Sequence, residues 1–290
     1  MKITEITAKI VLILKGAESI LKSKEIKVEE KNGIGNIVTS IDKKMEEYLL
    51  NKLSKAFPEA VIISEESADD MNINNITTSD SVLKFVVDPL DGTTNYTNGW
   101  PHTVSIGVIL DNELVAGVIY DVLINKVYVG IKGITVMVNN LENVLEEVSC
   151  YDPIIKPEYS HNVIKKSVIS YDTPYGVDAF KFTTDAVTKL YHAGASLKTV
   201  GPISLDVLKT ALGKENRPHD YNCAVFHAEV RAWDLCAATC ILRELGGEII
   251  GMDGNPLSLE TLSDPNARIA FIASGNKSLL NEMYELLKIK

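Results

Sequence analysis

A series of short apolar runs between residues 60 and 131 limits most strongly the folds that this chain can adopt. The runs Val104–Leu110, Leu114–Tyr120 and Lys126–Ile131 follow one another closely, and turn signals such as Asp111-Asn112 separate them. Because short turns join antiparallel neighbours, this spacing predicts a meander of mostly antiparallel strands. Two earlier apolar runs that stop at acidic residues are also predicted to be strands, namely Ala60–Ser64 and Leu83–Val87.

Helical periodicity flanks this meander. Apolar residues recur at three- and four-residue steps from Ile3 to Leu21 and along one face of residues 40–56, which predicts two amphipathic helices. Thr39 and Asp42 have the spacing of a capping box at the start of the second helix. Helices alternating with short strands are predicted for the second half of the chain, at Tyr175–Leu190, Ser204–Leu212, Asp234–Leu245, Arg268–Ala273 and Lys277–Leu287.

A break in regular structure divides the chain. Pro153 and Pro157 interrupt any regular element between Cys150 and Asn162. We therefore predict an N-terminal α+β lobe at residues 1–150 and a C-terminal α/β lobe at residues 151–290. The predicted fold class is α+β, with the two lobes packed against each other.

The composition argues against several classes of protein. The chain has 290 residues, of which 46% are hydrophobic and 23% are charged, and it contains no apolar run of about 18 residues. Its net charge of −10 comes without a basic stripe, so neither a nucleic acid nor a membrane is expected as a partner. No signal peptide is recognisable, and we expect a cytoplasmic protein. The four cysteines are expected to be free thiols, with Cys236 and Cys240 packed in the core.

The strongest chemical signal in the sequence is the segment Asp88-Pro89-Leu90-Asp91-Gly92-Thr93-Thr94-Asn95. The preceding strand is expected to end at Asp88, so that two carboxylates project from its carboxyl end. Gly92 permits a sharp turn and a close approach to a ligand, and Thr93 can begin a short helix whose free N–H groups attract anions. Oxygen ligands beside an anion cradle suit a hard cation that carries a phosphate. The alternative is a capped turn in which both aspartates bond nearby amides.

Two further segments carry carboxylates. Glu65 and Glu66 follow an apolar run, and Asp234 opens a predicted helix that closes at Gly246-Gly247. Taken singly, Glu66 is best read as a solvated loop acid and Asp234 as an N-cap. Taken together with the Asp88 segment, they form a recognisable set.

This set resembles the inositol monophosphatase and fructose-bisphosphatase superfamily. DPLDGTTNY looks like its first signature and WDLCAATCILRELGG is similar to its second, whereas SEES corresponds to its glycine–glutamate–glutamate metal segment with Ser64 in place of the glycine. Lys31 and the VTSID sequence that ends at Asp42 match the family's N-terminal loop and helix start. The resemblance implies a sugar-phosphatase fold, an αβαβα sandwich of alternating helical and sheet layers. It also implies a lithium-sensitive, Mg²⁺-dependent phosphatase that forms a homodimer.

The resemblance further implies the site residues. Glu65, Asp88 and the carbonyl of Leu90 would hold one Mg²⁺, and Asp88, Asp91 and Asp234 would hold a second. A third ion and replacement by Mn²⁺ are compatible with this ligand set. The phosphate would lie against Asp91, Gly92, Thr93 and Thr94, and the Thr93 hydroxyl and Glu65 would orient the attacking water. Asp42 is expected near the metals, with helix capping as its main task.

The region that would contact the alcohol part of a substrate departs from the family pattern. His227 stands where inositol-selective members have a glutamate, and Glu229 and Arg231 follow it. One interpretation is that these residues bind substrate, with Arg231 reading a second phosphate. The other is that His227 is a surface histidine, Glu229 a solvated acid, and Arg231 its surface partner. Residues 141–195 match nothing that can be placed.

Three functions therefore stay open at the level of sequence. The leading prediction is hydrolysis of a small soluble phosphate ester such as an inositol monophosphate, extending to fructose 1,6-bisphosphate. A 3′(2′),5′-bisphosphate nucleotidase is the alternative within the same chemistry, and its adenine platform would need an aromatic residue such as Tyr171, Tyr175 or Tyr191. The alternative of another class is a regulatory protein that binds partners in transcription or ribosome assembly, as some bacterial relatives do.

Overall fold

The computed structural model describes residues 1–23, 27–30, 37–66, 83–143, 151–199 and 201–288. Within these ranges, helices α1–α8 span Ile3–Leu21, Ser40–Ala56, Thr93–Thr97, Val177–His192, Ile203–Asn216, Ala232–Glu244, Leu259–Ser263 and Lys277–Leu287. Strands β1–β14 span Val28–Glu30, Ile37–Thr39, Val61–Ser64, Leu83–Asp91, Thr103–Leu110, Glu113–Asp121, Lys126–Ile131, Thr135–Asn140, Asp152–Pro153, Val168–Tyr171, Ser196–Lys198, Ala224–Val230, Glu248–Gly251 and Ile269–Ser274. Lys31 and Cys150 lie outside the described residues.

The first large sheet confirms the predicted meander. Its seven strands lie in the order β3-β4-β5-β6-β7-β8-β9, and every neighbouring pair is antiparallel except β3 and β4. The expectation that β4 ends at Asp88 is wrong. The ladder with β5 is interrupted after Asp88 and resumes where Asp91 pairs with Thr103, so both aspartates lie within the strand and flank an irregularity that contains Pro89.

The second sheet has five strands in the order β11-β10-β12-β14-β13. β10 pairs in parallel with both β11 and β12, and β14 pairs antiparallel with β12 and β13. Strand β10 ends at Tyr171, which pairs with Phe226 of β12, so the next residue of the chain, Asp172, lies beside His227 within β12. This end of β10 forms part of the cleft described below.

The layers alternate as the fold class predicts. One core cluster joins α1 and α2 to one face of the seven-stranded sheet, and a second joins the other face to α5, α6 and one face of the five-stranded sheet. A third cluster packs α4 and α8 on the remaining face of that sheet. The molecule is therefore an αβαβα sandwich. The division into lobes at residue 150 stays a prediction.

A row of glycines seats α6 against the first sheet. Gly107, Gly117 and Gly130 are paired across β5, β6 and β7, and a Cβ atom added at each would collide with residues of α6. At Gly130, for example, the added atom would lie 2.8 Å from a side-chain carbon of Ile241. Because no side chain separates helix from sheet here, the N-terminal turn of α6, which carries Asp234, is brought close to β4.

The remaining predictions on packing concern cysteine and membrane insertion. Cys236 and Cys240 are free thiols buried in α6, which confirms their packing in the core. Among the residues described, no helix has both the length and the apolar character needed to cross a bilayer.

Candidate active site

Three carboxylates from two distant parts of the chain meet at the end of β4. Asp88 and Asp91 come from the irregular end of that strand, and Asp234 comes from the first turn of α6. One carboxylate oxygen from each of the three lies within 4.8 Å of the others. The helix begins at Ala232 rather than at Asp234, so Asp234 is a first-turn residue and not the N-cap.

A backbone amide holds each of these carboxylates in place. The N–H of Leu90 donates to Asp88 Oδ1 at 3.0 Å, that of Ser204 to Asp91 Oδ2 at 2.7 Å, and that of Arg231 to Asp234 Oδ2 at 2.7 Å. A carboxylate has two oxygens, so a tether through one of them leaves the second able to ligate a cation. The capped-turn interpretation is right for Asp88, which bonds the nearby Leu90 amide, and wrong for Asp91, whose amide partner Ser204 lies in α5. Neither bond prevents metal ligation.

The electrostatics of the cluster favour a bound cation. Burial, followed by the charges of Glu65, Asp91 and Asp234, raises the pKa of Asp88 well above its usual value. Burial and the charges of Asp91 and Glu65 raise the pKa of Asp234 in the same way, and burial raises the pKa of Asp91 to about 6. Like charges this close cannot all ionise unless a cation neutralises them. An all-oxygen donor set fits a hard ion such as Mg²⁺.

Glu65 faces the cluster without belonging to the group of three. It follows β3 directly, and β3 pairs in parallel with β4 so that Ser64 lies opposite Val87. Glu65 therefore emerges beside Asp88 and lines the same cleft, as does Leu90. Its charge raises the pKa of both Asp88 and Asp234.

A chain of hydrogen bonds connects Thr93 to the start of α2. The Thr93 hydroxyl donates to Asp42 Oδ1 at 2.7 Å, and the other oxygen of this buried carboxylate accepts the Thr39 N–H at 2.7 Å and the Thr39 hydroxyl at 2.5 Å. The predicted capping box is thus confirmed. Asp42 performs a second task as well, because it orients the Thr93 hydroxyl.

These groups line one cleft of about 1170 Å³ between the two sheets. The lining includes the predicted residues Glu65, Glu66, Asp88 and Leu90–Asn95, together with His227, Glu229, Arg231 and Asp234. Apart from Tyr175, sequence reasoning missed the part of the lining formed by residues 172–176, Thr199 and residues 201–203. A cleft of this size holds a small organic molecule.

The family can now be stated, because fold and site agree with a match along almost the whole chain. A model of the inositol monophosphatase family matches residues 2–283. The chain belongs to this family.

Individual relatives differ in their reported roles. Inositol monophosphatase 1 of Saccharomyces cerevisiae is 29% identical over 262 residues, which is 88% of this chain and 82% of that protein. The Nus factor SuhB of Pasteurella multocida is 28% identical over 218 residues, which is 75% of this chain and 72% of that protein. Among solved structures, an IMPase/NADP phosphatase complexed with Mg²⁺ and phosphate aligns with a TM-score of 0.77 at 20% identity, covering 98% of this chain and 95% of that one.

The structure contradicts the interpretation of His227 as a surface histidine and of Glu229 and Arg231 as a surface ion pair. His227 is not on the surface: it is 4% exposed, because β12 lies between β10 and β14. Its Nδ1 accepts the Glu229 N–H at 3.1 Å, and burial lowers its pKa to about 4, so the ring is neutral. Glu229 is half-buried and forms its ion pair with Arg268 instead of Arg231.

Arg231 is held by neutral partners. Its Nη1 donates to the carbonyl of Asn266 at 3.1 Å, and its guanidinium carbon lies 5.8 Å from the centre of the Trp233 ring. In the part of the chain that the structure describes, no carboxylate forms an ion pair with this side chain. Arg231 therefore brings to the cleft a positive charge that no carboxylate among the described residues neutralises.

The three tyrosines considered as an aromatic platform are in different environments. Tyr175 lines the cleft, from a loop that precedes α4 rather than from the predicted helix, because α4 begins at Val177. Tyr171 stacks on Phe226, and Tyr191 lies against His192 and outside the cleft lining. Burial and nearby carboxylates raise the pKa of Tyr175 to about 12, so its hydroxyl stays a hydrogen-bond donor at neutral pH.

Proposed function

We propose that this protein is a Mg²⁺-dependent phosphomonoesterase that hydrolyses a small soluble phosphate ester. The observation that carries the proposal is the convergence of Asp88, Asp91 and Asp234 within 4.8 Å of one another, at the bottom of a cleft. The family membership supports the same chemistry. So does the raised pKa of the buried carboxylates, which leaves the cluster in need of positive charge.

The proposed metal ligands are the residues that the sequence motifs indicate. Asp88, Asp91 and Asp234, with Glu65 and the carbonyl of Leu90, would hold two or three Mg²⁺ ions, and Mn²⁺ would be able to replace them. When bound, these ions supply charge that balances the carboxylates and the phosphate, and they increase the acidity of water. Both effects promote the attack of water on a phosphate monoester at neutral pH.

The chain's own groups would position the phosphate and the attacking water. Gly92 has a φ of 92°, which residues with a side chain rarely adopt, and a Cβ atom there would lie only 3.2 Å from Pro202, so the backbone at this position favours glycine. The phosphate would lie against Gly92, Thr93 and Thr94. The Thr93 hydroxyl, held by Asp42, would orient the water together with Glu65.

The substrate is proposed to be an inositol monophosphate or a similar polyol phosphate, extending to fructose 1,6-bisphosphate. A yeast relative is an inositol monophosphatase, which supports this class. Arg231 and Tyr175 favour a second candidate, a 3′(2′),5′-bisphosphate nucleotidase. A guanidinium without a carboxylate partner can bind a second phosphate, and an exposed tyrosine in the cleft can stack on a base.

The test is phosphate release by the purified protein from inositol 1-phosphate, fructose 1,6-bisphosphate and adenosine 3′,5′-bisphosphate. We expect activity with Mg²⁺, loss of activity after exhaustive chelation, and inhibition by Li⁺ and excess Ca²⁺. Ca²⁺ prefers about 2.3–2.6 Å bonds, whereas Mg²⁺ requires about 2.0–2.1 Å. Asp234→Asn should lose nearly all activity, and Asp111→Asn, in an exposed hairpin turn, should retain it. Undiminished activity after chelation would refute the proposal.

A further inference from the structure

A carboxylate outside the group of Asp88, Asp91 and Asp234 lines a part of the cleft that sequence reasoning missed. Asp172 follows β10 directly, and β10 pairs in parallel with β12 so that Tyr171 lies opposite Phe226. Asp172 and His227 are therefore the next residues of adjacent strands, and both line the cleft. Asp172 is not a member of the cluster formed by Asp88, Asp91 and Asp234.

A neutral donor holds the Asp172 carboxylate. Its Oδ1 accepts the Thr173 N–H at 2.7 Å. Burial raises the pKa of this carboxyl, and the nearby Thr199 hydroxyl lowers that pKa by less. Within the described ranges, no basic side chain forms an ion pair with it. Glu229, in contrast, is neutralised by Arg268. Asp172 is thus a hydrogen-bond acceptor whose charge no basic side chain of the described ranges neutralises.

The place of Asp172 in the cleft determines which part of a bound substrate it can contact. Asp172 lines the same cleft as Asp91, and it lies beside His227 of the adjacent strand, outside the group of three carboxylates. His227 cannot take over the role of acceptor there, because its Nδ1 is occupied by the Glu229 N–H and the ring is neutral. A group bound beside Asp91 but outside the cluster belongs to the alcohol part of the ester.

We propose that Asp172 is a specificity-determining residue that accepts hydrogen bonds from hydroxyl groups of the substrate's alcohol part. Hydroxyls that donate to a carboxylate form short, charge-assisted bonds, and an anionic group at the same place is repelled. Because the Thr173 N–H already holds one oxygen of the carboxylate, little side-chain freedom is lost on binding. The residue therefore selects a polyhydroxylated alcohol over one without hydroxyls.

This inference rests on the proposed phosphatase function, and one experiment separates the two. The full chain is assayed with Mg²⁺ on inositol 1-phosphate, which carries hydroxyls, and on p-nitrophenyl phosphate, which carries none. The measured quantity is the ratio of kcat/KM for the two substrates in wild type, Asp172→Asn and Asp172→Ala. Asp178→Asn, an exposed carboxylate in the first turn of α4, is the matched control. Melting temperature and the Mg²⁺ concentration for half-maximal activity are measured for each.

The expected result is a ratio at least tenfold lower in both Asp172 variants, with an unchanged ratio in Asp178→Asn and a Mg²⁺ requirement like that of the wild type. If kcat/KM falls equally for both substrates and more Mg²⁺ is needed for half-maximal activity, the inference is overturned. Asp172 would then act on the metal site through Asp91 and not on the substrate. An unchanged ratio would overturn it as well. If the wild type releases no phosphate from either substrate, the proposed function itself fails. If it acts only on the aryl ester, that chemistry stands and the role of Asp172 does not.

Discussion

The hydroxyl of Thr93 donates a hydrogen bond of 2.7 Å to Asp42, which lies 51 residues earlier in the chain. The carboxylate of Asp42 thus caps α2 and also orients the Thr93 side chain, which lines the cleft together with the three clustered aspartates. Asp42 therefore contributes both to the start of a helix and to the position of a candidate catalytic group. The bond fixes the Thr93 hydroxyl before any ligand arrives.

Replacing Thr93 with alanine should lower kcat far more than it raises KM. The hydroxyl is proposed to act on the water, an interaction realised mainly in the transition state, whereas backbone amides would still hold the phosphate. Steady-state kinetics with inositol 1-phosphate test this. Thr93→Ser, which retains the hydroxyl, is the control and should recover much of kcat. Similar changes in kcat and KM for Thr93→Ala would indicate a role in substrate positioning instead.

Replacing Asp91 with asparagine should abolish turnover and leave the fold intact. The asparagine side-chain oxygen can still accept the Ser204 N–H, so the contact with α5 survives. Loss of one negative charge among crowded carboxylates should hold or raise the melting temperature of the metal-free protein. Activity and melting temperature are measured on the same purified variant. Normal activity with a lower melting temperature would mean that Asp91 is only a cap.

The stabilising effect of Mg²⁺ should increase with pH. In the metal-free protein burial raises the pKa of Asp91 to about 6, and burial together with neighbouring carboxylates raises the pKa of Asp88 well above its usual value of 3.8. The folded state therefore binds more protons than the unfolded state, and its free energy of unfolding falls as pH rises through this window, by up to about 1.4 kcal/mol per pH unit for each proton. Bound Mg²⁺ removes this penalty because it displaces the protons.

Melting temperatures with Mg²⁺ and with chelator, at pH 5 and pH 7.5, measure this effect. The difference between the two conditions should be larger at pH 7.5. Asp88→Asn serves as a control, because the variant lacks one of the displaced protons and should show a weaker pH dependence. His227 contributes in the opposite direction, since its pKa is lowered to about 4, but it does so equally with and without Mg²⁺. A difference that does not depend on pH would contradict the prediction.

The elements that the sequence predicted best are those with strong local signals. The limits of α2 and α8 were predicted to the residue, because the Thr39–Asp42 capping box and regular apolar spacing define them. The meander was predicted from its apolar runs and turns. The convergence of Asp88 and Asp234 was predicted only through the family resemblance, since no local pattern reports that α6 packs on Gly107 and Gly117.

The second sheet shows why the rest escaped prediction. β10 and β11 have only four and three residues, too few for a periodic pattern, and β12 is covered on both faces. Without these strands, nothing in the sequence placed Asp172 beside His227. The burial of His227 was missed for the same reason.

The last prediction concerns Arg231, for which the arrangement of ion pairs supplies a matched control. Arg231 has no carboxylate partner among the described residues, whereas Arg268 is paired with Glu229 at the same cleft. If Arg231 reads a second phosphate, Arg231→Ala should weaken hydrolysis of bisphosphorylated substrates by about 1.5–3 kcal/mol, the cost of a lost charged hydrogen bond. Hydrolysis of monophosphates should change little.

Comparison of kcat/KM for fructose 1,6-bisphosphate and inositol 1-phosphate tests this in Arg231→Ala and Arg268→Ala. The backbone N–H of residue 231 is kept in the alanine variant, so its hydrogen bond to Asp234 is expected to persist and the metal cluster to be preserved. Arg268→Ala removes the ion-pair partner of Glu229 and leaves that carboxylate unpaired. We therefore do not expect it to change the ratio of kcat/KM for the two substrates as Arg231→Ala does. If kcat/KM of Arg231→Ala falls equally for both substrates, or falls for neither, Arg231 does not bind a second phosphate. The case for a bisphosphatase or nucleotidase would then lose its electrostatic basis, because the other arginine at the cleft is already neutralised.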